Sequence, residues 1–257
     1  MHTIDLERAL AVARDAVAAA GAVALDHVRR GVTVELKPDR SWVTAADRAA
    51  EDAIASLVTA AFPDHAILGE ERGQRGTNTA ARWLVDPIDG TRGFARGGTM
   101  WGPMVALEVD GELVVGAFAL PAQRRTYWAA RGLGAFRDGT RLQLSAIGDL
   151  GAATLSVGEL ARMMRRNANA VRLIERAAST RCYGDIAGCA LVLDGVAEAW
   201  VEGGVKPWDL AAAAILVTEA GGRFTDWSGA PSFEAGYGIA SNGRVHDEIL
   251  RVLAATA

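Results

Sequence analysis

The sequence predicts an α/β fold built from two unlike halves. In the first half, two amphipathic helical stretches precede short strands, and Asp110-Gly111 and Asp138-Gly139 are typical of two-residue turns between antiparallel strands. In the second half, strand and helix patterns alternate, which favours a second, mostly parallel sheet. We therefore expect residues 1–146 to form an N-terminal α+β half and residues 147–257 a C-terminal α/β half.

The first half begins with two helices that carry their own start and stop signals. Apolar residues recur at every third or fourth position, which predicts a first helix with one buried stripe. Thr3 or Asp5 can cap this helix, and Gly31 can end it. Thr44 is expected to cap a second helix, which Pro63 stops.

The remaining elements follow from alternation, apolar runs and turn residues. In the first half these patterns predict a strand at 32–36, a polar loop at 37–44, a short strand at 67–68, an exposed loop at 72–82, and strands at 104–109, 112–119, 126–130, 134–136 and 142–145. In the second half they predict strands at 154–157, 180–183, 197–201, 224–226 and 237–241, and helices at 159–178, 186–193, 209–220 and 245–254.

Composition restricts the classes of function that remain. Half of the 257 residues are hydrophobic and 23% are charged, so a sizeable core can form and disorder is not expected. The net charge of −4 argues against a nucleic-acid partner. Cys182 and Cys189 make no disulfide framework and are expected to be reduced thiols.

Neither a signal peptide nor a membrane span is expected. Asp5, Glu7 and Arg8 interrupt the N-terminal apolar stretch, which the core of a signal peptide would not tolerate. The apolar run from Ala211 to Val217 is far shorter than the roughly 20 residues that a membrane helix needs. These features predict a cytoplasmic protein with no membrane partner.

A buried strand that runs into an acidic loop is the centre of the functional prediction. Trp83 to Val85 suit a strand covered on both faces, and Asp86 and Asp89 follow it with Pro87 between them. Two carboxylates held this close repel each other unless a cation lies between them. Carboxylates together with the carbonyl of Ile88 are ligands that Mg²⁺ prefers. Gly90 and Thr91 come next and suit an anion bound beside the metal.

This loop resembles the signature of the inositol monophosphatase family of metal-dependent phosphatases. The resemblance rests on the run from 83 to 94 (WLVDPIDGTRGF), on Gly69-Glu70-Glu71, and on Trp208-Asp209-Leu210-Ala211-Ala212 followed by Glu219-Ala220-Gly221-Gly222. It covers nearly the whole chain. The resemblance implies a layered α-β-α-β-α sandwich of the inositol monophosphatase and sugar phosphatase type, two or three Mg²⁺ ions per subunit, and a homodimer.

The family pattern also implies a role for each matching residue. It assigns Glu70, Asp86 and the Ile88 carbonyl to a first metal and Asp86, Asp89 and Asp209 to a second. Glu70 and Thr91 would orient the attacking water, and the Thr91 hydroxyl would link Asp47 to that water. The backbone amides of Gly90 and Thr91 would hold phosphate oxygens.

Three of the acids have simpler alternatives. Asp47 lies in the first turn of the second helix and can act as a helix-dipole charge or as a ligand to a weaker third metal. Asp209 can be an ordinary helix N-cap, although the surrounding family match favours a ligand. Glu71 is expected to support the site from outside or to be exposed.

Substrate choice is expected to lie in the second half. Asp185 and Glu202 would place two acids near the leaving group, which suits a cationic alcohol better than a neutral polyol. Tyr183-Gly184-Asp185 resembles the histidinol-phosphatase branch of the family, which implies L-histidinol phosphate, a step of histidine biosynthesis. If Asp185 only caps the helix from Ile186, inositol-1-phosphate or a broad range of small phosphate monoesters becomes the expected substrate.

Other readings of the chain are weaker or remain open. The histidines are scattered away from the acids, and no Walker A loop, Gly-x-Ser-x-Gly elbow or dinucleotide fingerprint is present. A non-catalytic family member that binds a phosphate ester stays an alternative. Trp42 stands where many family members carry proline. Arg162, Arg165 and Arg166 form a basic cluster that is either a solvated face or a contact for phosphate or a partner.

Overall fold

A computed structural model describes residues 4–78 and 80–255 of the chain. The helices are α1 (Leu6–Arg30), α2 (Ala45–Ala61), α3 (Thr91–Ala95), α4 (Leu160–Arg166), α5 (Ala170–Arg176), α6 (Asp185–Leu193), α7 (Pro207–Glu219) and α8 (His246–Ala254). The strands are β1 (Val34–Leu36), β2 (Trp42–Thr44), β3 (Ala66–Gly69), β4 (Gly73–Arg75), β5 (Ala81–Asp89), β6 (Gly102–Val109), β7 (Glu112–Leu120), β8 (Arg125–Ala130), β9 (Gly134–Arg137), β10 (Thr140–Arg141), β11 (Thr154–Val157), β12 (Ser179–Arg181), β13 (Ala199–Gly203), β14 (Arg223–Thr225) and β15 (Tyr237–Ser241).

The elements stack in five layers, in the order α-β-α-β-α. Helices α1 and α2 cover one face of an eight-stranded sheet, ordered β10-β9-β8-β7-β6-β5-β3-β4. Helices α6 and α7 lie between its other face and a five-stranded sheet, ordered β12-β11-β13-β15-β14. Helices α4, α5 and α8 cover the outer face of the second sheet. The layered sandwich that the family resemblance implies is therefore confirmed.

The two N-terminal helices begin where their capping residues predict. The Asp5 carboxylate accepts a hydrogen bond from the Arg8 amide, so Asp5 caps α1, and Thr3 lies outside the described residues. Helix α1 ends at Gly31, whose φ of 94° is one that glycine adopts without strain. Thr44 and Asp47 form a reciprocal capping box at the start of α2.

Strand β5 carries the acidic loop, and its side chains alternate between two cores. Trp83 and Val85 pack under α1 and α2, whereas Leu84 packs on the other face beside α7. The predicted strand that is covered on both faces is thus confirmed. The Asp110-Gly111 and Asp138-Gly139 turns are also confirmed, since both residues of each pair have positive φ, as the tight turn between twisted strands requires.

Several element predictions were wrong. The 37–44 segment is not all loop, because β2 pairs antiparallel with β1, and the 72–82 segment contains β4, which pairs with β3. The strand predicted at 142–145 is absent, since β10 ends at Arg141. The helix predicted at 159–178 is broken into α4 and α5.

The second sheet is mixed and not mostly parallel. Strand β11 is parallel to β12 and β13, but β15 runs antiparallel to both β13 and β14. The alternation of strands and helices stops after α7, where β14 and β15 follow each other without a helix between them, so the crossover that parallel pairing needs is missing. Within the described ranges, no helix has the length and apolar character needed to cross a membrane.

Candidate active site and acidic centre

Asp86 and Asp89 lie at the end of β5, where the pairing of the strand with β6 shifts by a bulge between the two residues. Both are buried, with 2% and 8% of their surface exposed. The Ile88 amide donates a 3.0 Å hydrogen bond to Asp86 Oδ1, which folds the turn around Pro87. The Asp89 Oδ2 atom accepts a short hydrogen bond from the Ile186 amide, at the start of α6. The bulge therefore directs two acids toward the second half of the chain.

Asp209 comes to the same place from the first turn of α7. The prediction that Asp209 is an ordinary N-cap residue was wrong, because α7 begins at Pro207 and Lys206 occupies the N-cap position. Asp209 is the third residue of the helix, and its carboxylate accepts a 2.7 Å hydrogen bond from the Lys206 amide. One carboxylate oxygen from each of Asp86, Asp89 and Asp209 lies within 4.8 Å of the others. Asp209 can therefore bind the amide at the start of α7 and also lie beside the other two acids.

The electrostatics of this cluster fit a divalent cation. Burial raises the pKa of Asp86 and Asp89 well above the usual range, and the neighbouring acids add to the effect. Burial also raises the pKa of Asp209 to about 7. Carboxylates in such surroundings resist ionisation until a positive charge compensates them. Three oxygen donors at this spacing suit a hard ion such as Mg²⁺.

Glu70 is placed beside this cluster and does not join the group of three acids. It follows β3, and its carboxylate accepts a 2.8 Å hydrogen bond from Lys37 Nζ. Lys37 also donates to Glu71 at 2.5 Å. Burial would lower the pKa of Lys37, but the hydrogen bonds to the two acids raise it overall. Lys37 was not identified as a site residue from the sequence, because no local signal indicates that it meets acids more than 30 positions away.

Glu71 is not exposed, which corrects one of the two readings of this residue. Only 5% of its side chain is accessible, and burial raises the pKa of its carboxyl to about 7. Its contact with Lys37 places it behind Glu70 and supports the reading of a residue that assists from outside the cluster.

Asp47 and Thr91 meet as the relay prediction requires. Asp47 is fully buried, and the Thr44 amide and hydroxyl donate to its Oδ2 atom at 2.7 and 2.6 Å. The Thr91 hydroxyl lies 3.2 Å from Asp47 Oδ1 and 3.0 Å from the Ile88 carbonyl, so its single proton can be given to either. Burial raises the pKa of Asp47. Asp47 lies in the first turn of α2, where it takes part in the capping box with Thr44, and its Oδ1 atom accepts from Thr91. Whether it acts as a dipole charge or near a third metal stays a prediction.

Asp185 and Glu202 line the same cavity from the second half. Asp185 is the first residue of α6, and Gly184 occupies the N-cap position, so the alternative that Asp185 merely caps this helix is wrong. Burial raises the pKa of Asp185, and the positive charge of Arg162 offsets part of this rise. Glu202 lies in β13 with 4% of its surface exposed, and burial raises its pKa to about 8.

A cavity of about 980 Å³ connects these groups. Its walls include the acids Glu70, Asp86, Asp89, Asp185, Glu202 and Asp209, together with Ile88, Gly90 and Thr91. Trp42 and Arg92 form one rim, with the guanidinium 5.7 Å from the ring centroid. Arg162 also lines the cavity, whereas Arg166 stacks over Tyr237 at 4.4 Å, so the basic cluster does not act as one surface.

The layered fold and its acidic cavity define a phosphatase of the layered α/β class. The chain belongs to the inositol monophosphatase family, whose model matches residues 5–256. It is 40% identical over 236 residues to a histidinol-phosphatase of Mycobacterium tuberculosis, covering 88% of this chain and 91% of that protein. A histidinol-phosphatase of Streptomyces coelicolor is 38% identical over 264 residues, covering 98% and 97%. Among solved structures, an inositol monophosphatase from Anabaena superimposes with a TM-score of 0.86 at 30% identity, covering 97% and 96%. The chain is therefore a phosphoric monoester hydrolase.

Proposed function

We propose that this protein hydrolyses L-histidinol phosphate to L-histidinol, the histidine-biosynthetic reaction, in a Mg²⁺-dependent manner. The observation that carries the proposal is the pairing, in one cavity, of an acidic cluster with two further acids from the second half, Asp185 and the buried Glu202. A positive substrate group would be drawn to the negative charge of those two acids, and at Glu202 it would compensate a carboxylate whose burial is costly. Histidinol carries an ammonium and an imidazole. The histidinol-phosphatase relatives described above support the same substrate.

The roles proposed for the residues are those that the family resemblance implies, and the meeting of Asp86, Asp89 and Asp209 supports them. Asp86, Asp89 and Asp209 would hold one Mg²⁺, and Glu70, Asp86 and the Ile88 carbonyl another, with Asp47 near a weaker third site. When bound, these ions would neutralise phosphate charge and activate water. Glu70 and Thr91 would orient that water, and the Thr91 hydroxyl would pass its proton toward Asp47, which lies 3.2 Å away.

The phosphate and its organic group would occupy different walls of the cavity. The Gly90 and Thr91 amides would hold phosphate oxygens, and Asp185 and Glu202 would contact the alcohol. Glu70 would first have to exchange its hydrogen bond with Lys37 for a place beside Asp86. The homodimer stays a prediction that rests on family resemblance, and the cytoplasmic location stays one that rests on the sequence features described above.

The test compares phosphate release with Mg²⁺ from histidinol phosphate, inositol-1-phosphate, fructose-1,6-bisphosphate and 3′-phosphoadenosine 5′-phosphate. We expect kcat/KM to favour histidinol phosphate by about a hundredfold, or ~2.7 kcal/mol of discrimination. Asp89→Asn should abolish release from every substrate, while Asp247→Asn, at an exposed ion pair with Arg223, should leave it unchanged.

Two outcomes would overturn the proposal in different ways. A preference for inositol-1-phosphate would keep the phosphatase and remove the histidinol assignment. An inactive wild type that still binds histidinol phosphate would favour the non-catalytic alternative.

A further inference from the structure

Glu51 is a buried acid that the proposed reaction does not use. It lies in the middle of α2, and only 1% of its surface is exposed. Its carboxylate accepts a 2.7 Å hydrogen bond from the Glu71 amide at Oε2 and a 2.9 Å hydrogen bond from the Arg72 amide at Oε1. Each oxygen is therefore committed to one backbone N–H, which offsets the cost of burying the charge.

The close approach of this carboxylate depends on a glycine. A Cβ atom built on Gly69 would lie 2.3 Å from Glu51 Oε1 and 2.5 Å from Cδ, closer than non-bonded atoms can come. Any side chain at position 69 would therefore displace the Glu51 carboxylate. The glycine at the end of β3 thus leaves the space that the Glu51 carboxylate of α2 occupies, although 18 positions separate the two residues along the chain.

The segment held in this way carries the acids at the edge of the cavity. The Glu70 amide donates to the Val85 carbonyl at 3.1 Å, so three consecutive amides, those of Glu70, Glu71 and Arg72, are all bound to fixed partners. A rigid backbone here fixes the direction in which the Glu70 side chain projects. Glu70 lines the cavity, and Val85 immediately precedes Asp86.

We propose that Glu51 is a positioning residue: by binding the Glu71 and Arg72 amides it fixes Glu70 for metal binding and water orientation. The inference rests on the proposed function, because it assigns Glu70 the role stated there. A carboxylate is needed for the task, since both of its oxygens accept hydrogen bonds. A glutamine has one acceptor, and its amide group would face the second N–H as a donor.

The neighbouring residue offers a matched control. Asp52 binds the Arg72 and Arg75 guanidinium groups at 2.7 and 2.8 Å, so it holds the same segment through side chains. Its side chain is 48% exposed. Exposed ion pairs contribute little to stability, and this one does not touch the amides that set the direction of Glu70.

The experiment compares the wild type with Glu51→Gln, Gly69→Ala and Asp52→Asn. For each protein we would measure kcat and KM with histidinol phosphate, Mg²⁺ binding by calorimetry without substrate, and the melting temperature without metal. We expect Glu51→Gln and Gly69→Ala to weaken Mg²⁺ binding and lower kcat by about ten- to a hundredfold with a small change in KM, as loss of a group that orients a metal ligand does. Asp52→Asn should stay within about twofold of the wild type.

The proposal would be overturned if Glu51→Gln has the Mg²⁺ affinity and kcat of the wild type. It would also be overturned if Asp52→Asn loses as much Mg²⁺ affinity and kcat as Glu51→Gln does. It would equally fail if every loss follows the melting temperature, because a structural role alone would then account for it. The calorimetric arm separates the two proposals. A wild type that releases no phosphate refutes the proposed function, while weaker Mg²⁺ binding by Glu51→Gln would still support positioning by Glu51.

Discussion

Asp185 has a left-handed backbone conformation, with φ of 58° at the first residue of α6. Aspartate adopts this conformation more readily than most residues, but it remains less favourable than a helical φ. The carboxylate reaches the acidic loop, because a Cβ atom built on Gly90 would lie 3.1 Å from Asp185 Oδ2. The backbone thus brings an acid from the second half next to the predicted phosphate site.

Asp185→Asn is expected to change substrate choice more than chemistry. Removing the negative charge should lower the kcat/KM preference for histidinol phosphate over inositol-1-phosphate by about ten- to a hundredfold, because the attraction for a cationic alcohol is lost while the metal ligands stay. Phosphate release from both substrates measures this ratio. Glu159→Gln, at an exposed acid on the same cavity wall, is the control. An unchanged ratio would contradict a recognition role for Asp185.

Glu202 is expected to make the metal-free protein less stable as the pH rises. Burial raises the pKa of its carboxyl from 4.5 to about 8, so the stability that the protonated form contributes is full below pH 4.5 and is lost as the pH passes about 8. Glu202→Gln stays neutral and should gain at least about 1 kcal/mol relative to the wild type between pH 5 and pH 8.5. Urea unfolding without metal at pH 5 and at pH 8.5 measures the free energy of unfolding of both proteins. Parallel pH profiles for the two proteins would contradict the expectation.

Most of the acidic centre could be predicted from the sequence, and the contacts that could not be predicted were missed for a physical reason. Asp86 and Asp89 are close in sequence, and Asp209 lies in a long family match, so their meeting could be predicted. The contact of Glu70 with Lys37 could not, because it depends on how the 37–44 segment folds over the end of β3. Glu51 was missed for a similar reason: its partners are backbone amides, which leave no mark in the sequence.

At the scale of elements, His246 anchors α8 to the second sheet. It is fully buried, with Nε2 2.8 Å from Thr225 Oγ1 in β14 and Nδ1 2.8 Å from Ser241 Oγ in β15. A neutral ring can donate from one nitrogen and accept at the other, which suits two hydroxyl groups. Protonation would add a charge that has no acidic partner among these hydrogen bonds.

This anchor predicts acid sensitivity. Burial lowers the pKa of His246 from 6.5 to about 4, so its contribution to stability is full above pH 6.5 and is lost as the pH falls through about 4. The loss can reach about 3 kcal/mol at the acid end. His246→Gln should be less stable than the wild type at pH 7 but should lose less between pH 7 and pH 4.5, as urea unfolding would measure. His27→Gln, in α1, is the control and should lose as much unfolding free energy between pH 7 and pH 4.5 as the wild type. If His246→Gln also lost as much as the wild type, the anchoring role would be contradicted.

Elements with local signals were predicted, and those that depend on distant partners were not. The Asp110-Gly111 turn and the Thr44 cap specify their own geometry. The helix expected at 159–178 breaks because Asn167 and Asn169 use their side-chain amides to bind the Leu253 carbonyl, at 2.9 and 3.3 Å, and Asn169 also binds the Ala255 carbonyl. Helical periodicity continues through the break, so no local pattern reveals a partner more than 80 positions away.

At the scale of the whole molecule, the middle helical layer joins the two sheets. Helices α6 and α7 contribute to one core with Leu84 and Phe118 from the first sheet and Phe224 and Ala240 from the second. Gly116 lets α7 approach β7 closely, since a Cβ atom there would lie 2.4 Å from Ile215 Cγ2. The boundary at residues 146 and 147 stays a prediction, but a shared core favours one cooperative unfolding transition.

Because the acidic cluster takes ligands from both sides of that boundary, Mg²⁺ is expected to stabilise the whole fold. Asp86 and Asp89 end β5 of the first sheet and Asp209 lies in the first turn of α7, so the cluster forms only when α7 is docked on that sheet. Free Mg²⁺ at a hundredfold excess over its Kd would add about 2.7 kcal/mol, equivalent to a rise in Tm of roughly 5–11 °C for a chain of this size.

Thermal unfolding followed by both circular dichroism and tryptophan fluorescence tests this coupling. The two probes should report the same Tm, and Mg²⁺ should raise both together. Asp209→Asn should abolish most of the rise, because the variant keeps Asp86 and Asp89 but loses the ligand that α7 supplies, whereas Asp247→Asn should keep it. If Mg²⁺ raised the Tm of Asp209→Asn as much as that of the wild type, the ion would be held by the first half alone, and the cluster would not couple metal binding to the docking of α7 on the first sheet.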